Sequence, residues 1–406
     1  MTVFEPVNIF LSYQANSLGD KFPDMIIDRP EHNLLLSCAR VCSDKERAHS
    51  IVRCVREGID WDYLLQTAGA HGMTSMLYQH LNTIGREAVP SPVLERLYNH
   101  FQKSAKTNLF YTAELFKILN LFDENGIPAI PFKGPVLSLS LYENPALREF
   151  SDLDILVRKQ DVFKALSLLT QIGYENPYNH SPAIEARILE QQNNCYIGKS
   201  GSGSLIEIHW SLLPGYLGVS LPMERWWERT IDICVQSRQV RSLQNEDLLL
   251  ALCIHGSKHM WQSLMWIVDI VQFLDKYPNL NWGILVNPQV HPDLRRILSV
   301  GLIVSSELLG AVLPQNVLET CRQDSGALEL AGEAQRMLFQ QSGMPILRLR
   351  LFQLRLRSKW VDRAGFLFRF VFWPGRDDWK VDLPWYLSPL YYVLRPIRLF
   401  RRYILK

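Results

Sequence analysis

Arg148-Glu-Phe-Ser-Asp-Leu-Asp-Ile-Leu-Val157 is the stretch on which the reading of this chain turns. Asp152 to Val157 has the apolar run of a short strand. Side chains alternate faces along a strand, so Asp152 and Asp154 point the same way. Two neighbouring carboxylates repel, and the pair calls for a cation between them. Hard oxygen donors of this kind suit Mg²⁺, which takes substrate phosphates as its other ligands. Upstream, Ile127 to Phe132 reads as a second strand and delivers Lys133-Gly134. Lysine supplies a compact positive charge for phosphate, and glycine lets the backbone approach a ligand closely.

Working outward, residues 123–210 alternate short strands and helices, within an α/β core that spans 123–243. Val136 to Leu141 reads as a helix, as does Asp161 to Ile172, with Asp161 as N-cap and Gly173 as the stop. Ala183 to Gln192 is a further helix. Cys195 to Gly198 and Leu205 to Trp210 read as a hairpin around Gly201 and Gly203. On its second strand Glu207 and His209 share a face. Paired beside the Asp152/Asp154 strand, it would bring Glu207 to the same metals; left alone, it is an edge strand with polar residues facing water.

The combination of Phe132-Lys-Gly134, Leu141-Tyr142, Leu147-Arg148 and Ser151-Asp-Leu-Asp-Ile-Leu-Val157 resembles the uncharacterised nucleotidyltransferase family of the DNA-polymerase-β-like superfamily. The likeness runs over about residues 130–270. It implies an α+β fold, a small mixed sheet flanked by helical regions at both ends. It also implies transfer of a nucleoside monophosphate from an NTP to an unknown hydroxyl acceptor, with release of pyrophosphate. The acceptor classes left open are a small molecule, a glycan precursor, a protein or an RNA end. Asp152, Asp154 and Glu207 would hold one or two Mg²⁺ ions. Lys133 and the Gly134 backbone would face the β- and γ-phosphates. Arg148 would either clamp a phosphate or bond the sheet edge. The chain departs from the superfamily in one respect: Gly134 is followed by Pro135 where a serine is expected.

From Asn245 the pattern is helical. His255 and His259 lie four apart on one helix face. They are a possible zinc half-site, although a metalloprotease would need a glutamate beside the first. The family has the same His-Gly, His, Trp and Asp series, matched here by His255-Gly256, His259, Trp266 and Asp269. That implies a helix lining the nucleotide cleft; plain helix packing is the alternative.

Residues 1–33 read as a poorly packed leader, 1–122 as a helical region, 244–340 as a helical domain and 341–406 as a basic aromatic segment. Within 1–122, His71-Gly72 reads as a helix end. The composition, 47% hydrophobic and 21% charged, is that of a folded globular chain. Seven scattered cysteines, with neither a Cys-x-x-Cys pair nor a secretory signal, suit reduced thiols in the cytoplasm. No apolar run reaches the length of a membrane span. Residues 346–406 carry 14 Lys or Arg against four acids, although the whole chain is only +2. Such a tail can pack on the more acidic body, lie at the inner membrane face or, less readily, hold nucleic acid. If the site were inert, the protein would be a binding module anchored by that tail.

Overall fold

The computed structural model describes residues 29–41, 45–142, 144–175, 182–199, 204–217, 219, 221–287, 292–340, 346–374, 387 and 389–403. The fold is α+β. Six strands are present among these residues: β1 (Ala129–Pro131), β2 (Leu153–Val157), β3 (Asn194–Gly198), β4 (Leu205–His209), β5 (Ile231–Val235) and β6 (Arg238–Ser242). The first four form one sheet in the order β1-β2-β4-β3, and β5-β6 is a separate hairpin.

β2 is buried at every residue, which is why its sequence is a nearly unbroken apolar run. β1 pairs with it antiparallel and β4 pairs with it parallel. A parallel pair requires a crossover. Here that crossover carries the Val162–Gln171 helix, the Pro182–Gln191 helix and β3. Asp161 precedes the first of these helices without a side-chain cap bond. Gly173, at φ +92°, ends it as expected.

The Ser91–Glu124 helix has 34 residues and is about 51 Å long. Val93 and Leu97 at its start join one apolar core, and Leu115, Ile118, Leu119 and Phe122 join another under the sheet. The first core also takes in Leu34, Leu64, Leu249, Val268 and Val300. The helices before and after the sheet therefore share one interior.

The reading of residues 1–33 as a leader is corrected at its end. Pro30–Ser37 is a helix, and Leu34 and Leu35 are completely buried. Residues 1–28 lie outside the described part, as do the hairpin glycines Gly201 and Gly203. His71-Gly72 does end a helix, with Gly72 at φ +68°. The β5-β6 hairpin was not anticipated.

Candidate functional site

The site is assembled where β1, β2 and β4 meet the Asn245–Lys258 helix. In the β2-β4 ladder Asp154 lies directly beside Glu207. The hairpin thus stands against β2, and the two carboxylates are cross-strand neighbours. β3 adds Tyr196 opposite Glu207, and the Tyr196 phenol hydrogen-bonds that carboxylate.

Lys133 leaves β1 and turns its ammonium onto Asp154 Oδ1 at 2.7 Å. The turn depends on Gly134, whose φ is +56° and ψ −129°. A Cβ there would sit 3.2 Å from the Asp152 carbonyl oxygen. Only glycine fits both conditions, so the close approach made by Gly134 is to the chain's own backbone.

His209 Nε2 is 2.9 Å from Asp154 Oδ1 and 3.4 Å from Glu207 Oε1. Asp154, Glu207 and His209 are all buried, and each offers an atom within 4.8 Å of the others. Among the described residues this is the one such group of three. The expected trio was Asp152, Asp154 and Glu207; the structure joins His209 to the last two instead of Asp152. The reason is local. β2 begins at Leu153, and Asp152 lies half-buried on the bend before it, where strand alternation no longer applies. That bend is held by the long helix. Tyr111 donates to the Ser151 carbonyl at 2.5 Å, and Asn108 donates to the carbonyls of Pro145 and Arg148.

The electrostatics follow from this packing. Burial pushes Asp154 upward, but Lys133 and His209 outweigh it and hold the carboxyl well below the usual range. Burial and then the Asp154 charge push Asp152 up to about 6. Burial lowers the His209 pKa, but Glu207 and Asp154 more than reverse that and raise it. Burial raises Glu207, and His209 more than reverses it. Glu207 Oε1 and His209 Nδ1 are buried atoms that make no hydrogen bond among the described residues. Two carboxylates and an imidazole, one oxygen of them unsatisfied, fit a divalent cation.

The Asn245–Lys258 helix closes the arrangement. His255 Nδ1 accepts from Lys133 Nζ at 3.2 Å, which leaves the imidazole proton on Nε2. Burial and the Lys133 charge push the His255 pKa well below its ordinary value. Burial and Lys258 bring His259 to about 4. The two rings lie 5.0 Å apart and both touch Trp266. Gly256 is required because a Cβ would strike the buried Trp261 ring. Lys258 feels the charges of Glu207, Lys133 and Asp154; it stands inside the His255–His259 motif and was overlooked in the sequence.

A family described as uncharacterised nucleotidyltransferase matches residues 57–310. The chain belongs to that family. No curated protein and no solved structure matches it. In this chain the Arg148 fork is already occupied. Nε and Nη2 each lie 2.8 Å from an oxygen of Asp269, and Tyr142 donates to the same carboxylate at 2.7 Å. Arg148 is 4% exposed and Asp269 2%. Of the two expectations for Arg148, the geometry realises the structural bond, though to Asp269 on a helix rather than to the sheet edge. The guanidinium edge that would clamp a phosphate is used up.

Proposed function

We propose that the protein transfers a nucleoside monophosphate from an NTP to a hydroxyl acceptor and releases pyrophosphate, with a divalent cation at Asp154 and Glu207. The observation that carries this is the buried Asp154–Glu207 pair at adjacent register positions, facing Lys133 within a nucleotidyltransferase chain. Asp152 would complete the site from the bend, and His209 would either ligate the cation or hold the two carboxylates in place. When bound, the cation, Mg²⁺ or Mn²⁺, neutralises triphosphate charge and lowers the pKa of the acceptor hydroxyl.

The remaining work falls to the chain. Lys133 would exchange Asp154 for a β- or γ-phosphate oxygen, and Lys258 would supply a second positive charge. Neutral His255 would hold the Lys133 ammonium in line through Nδ1. Asp152, with its pKa raised to about 6, would receive the proton that leaves the acceptor. Because phosphoryl chemistry asks little covalent work of the protein, positioning and charge stabilisation dominate.

The test is to incubate purified protein with α-labelled ATP, CTP, GTP and UTP, Mg²⁺ or Mn²⁺, and pools of small-molecule, glycan and protein acceptors. Acceptor-dependent pyrophosphate release, absent in Asp154→Asn, is the expected result. Nucleotide binding without release, for every NTP and pool, would leave a binding module instead. Mn²⁺ binding read by electron paramagnetic resonance, and weakened in Glu207→Gln, checks the cation site independently of turnover.

A further inference from the structure

Three helices follow one another at the end of the chain: Ile346–Arg355, Trp360–Phe372 and Leu390–Tyr403. The second touches both of the others. One side of the set is fastened to the body. Phe352, Phe366 and Tyr391 are buried. Arg357 pairs with fully buried Asp293 at 3.0 Å, and Arg355 pairs with Glu329 and Glu333. Gln353 donates to the Lys258 carbonyl at the end of the active-site helix.

The other side is apolar and bare. Trp360 is 78% exposed, Leu347 66%, Phe368 65% and Val393 60%. Val361, Ala364, Phe368 and Phe372 repeat at helical spacing as one exposed stripe, and Leu390, Val393, Leu394 and Ile397 make a second. Two thirds of the exposed large apolar side chains among the described residues fall between 346 and 397. Exposed apolar residues are ordinarily scattered, and a concentration like this marks a docking surface. Arg348, Arg363 and Arg401 are exposed on the same helices, and Lys359 is exposed just before the second.

We propose that these helices dock the protein onto an anionic lipid bilayer, lying in the headgroup plane. Among the described residues no helix is long and apolar enough to cross a membrane. Amphipathic helices with arginines beside Trp, Phe and Leu lie along the interface instead. Charge complementarity selects the lipid. The 346–406 segment has ten more bases than acids, and each base that reaches an anionic surface gains from it. A second copy of the chain would set these like charges against each other. A nucleic acid would employ the arginines and aromatics, but it would leave the aliphatic Val361, Val393 and Ile397 without a partner, because bases stack on rings.

The experiment is sedimentation of the full chain with phosphatidylcholine vesicles, with and without phosphatidylglycerol, at low and physiological salt. Binding is expected with phosphatidylglycerol only, and stronger at low salt. The triple variant Trp360→Ser/Phe368→Ser/Val393→Ser alters exposed positions, and circular dichroism verifies its fold. Its partitioning should fall roughly tenfold or more. Lys359→Gln/Arg401→Gln should fall about fivefold per charge at low salt. Failure of the wild type to sediment overturns the proposal. So does equal sedimentation of the triple variant, or a wild-type dimer that the triple variant splits, or RNA binding that outcompetes the vesicles and is untouched by the triple variant. None of these outcomes depends on the nucleotidyl transfer proposed above.

Discussion

Two buried charge clusters are built from the same short stretch of chain, and they differ in one respect. Arg148, Asp269 and Tyr142 form a closed set. Both carboxylate oxygens are taken, the guanidinium fork is matched edge to edge, and Arg148 Nη1 also reaches the Gly134 carbonyl at 3.5 Å. Lys133, Asp154, His209 and Glu207 form an open set. One ammonium serves both Asp154 and His255, and Glu207 Oε1 has only the 3.4 Å contact with His209. Buried polar groups are normally satisfied. A saturated pair is therefore a strut, and an unsaturated one keeps capacity for a ligand.

The sharpest way to break this comparison is to neutralise one carboxylate in each cluster. Asp154→Asn should cut transfer on the order of 10³-fold or more, with the fold retained in circular dichroism. Near-normal turnover would show that the open cluster is not the site. Asp269→Asn should do the reverse. It strands the Arg148 charge in the interior and should cost about 3–5 kcal/mol of stability in denaturant unfolding. Unchanged stability would remove the strut.

Acid should act through the strut's own helix. His71 Nδ1 accepts from the Leu264 backbone N–H, where the helix carrying Asp269 begins. Burial, then the His32 charge, lowers the His71 pKa to about 4. The folded form thus resists a proton that the unfolded chain takes near pH 6.5. Between those values the unfolded state binds more protons, so stability falls as pH drops from about 6.5 toward 4. The loss from this group approaches about 3 kcal/mol. Unfolding midpoints across that range should be flatter in His71→Gln, and parallel curves would exclude His71 as the cause.

Two smaller effects concern the open cluster. Glu207→Gln should lower kcat on the order of 10²-fold and leave the nucleotide KM nearly unchanged. An effect on KM alone would assign Glu207 to binding. His255→Ala should reduce activity about tenfold without lowering the melting temperature. A fall in melting temperature with full activity would make the His255, His259 and Trp266 cluster a packing feature. Elemental analysis for zinc covers the remaining reading of that pair.

Much of the sheet was legible because its signals are local. β2 is continuously apolar, the β3-β4 hairpin reads as alternating strands around a Gly-Ser turn, and Gly173 stops its helix. The β5-β6 hairpin was hidden because its turn lacks the usual residues: Gln236 and Ser237 take φ of 49° and 65° without a glycine or asparagine. In the site, Lys133 and Asp154 could be named from residue type and spacing, and Glu207 from its strand face together with the family likeness. His209 was seen to share a face with Glu207, but nothing local says that its Nε2 falls between two carboxylates.

The sequence by itself determined which charges exist, that Glu207 and His209 share a strand face, and where glycine must release the backbone. Tertiary structure decided their partners. Arg148 meets Asp269 across 121 positions, and Lys133 meets His255 across 122. At such separations the pairing depends on how the helices pack against the sheet. Burial then turns the pairing into chemistry: the same carboxylate that would be ordinary in water is pushed up at Asp152 and held down at Asp154.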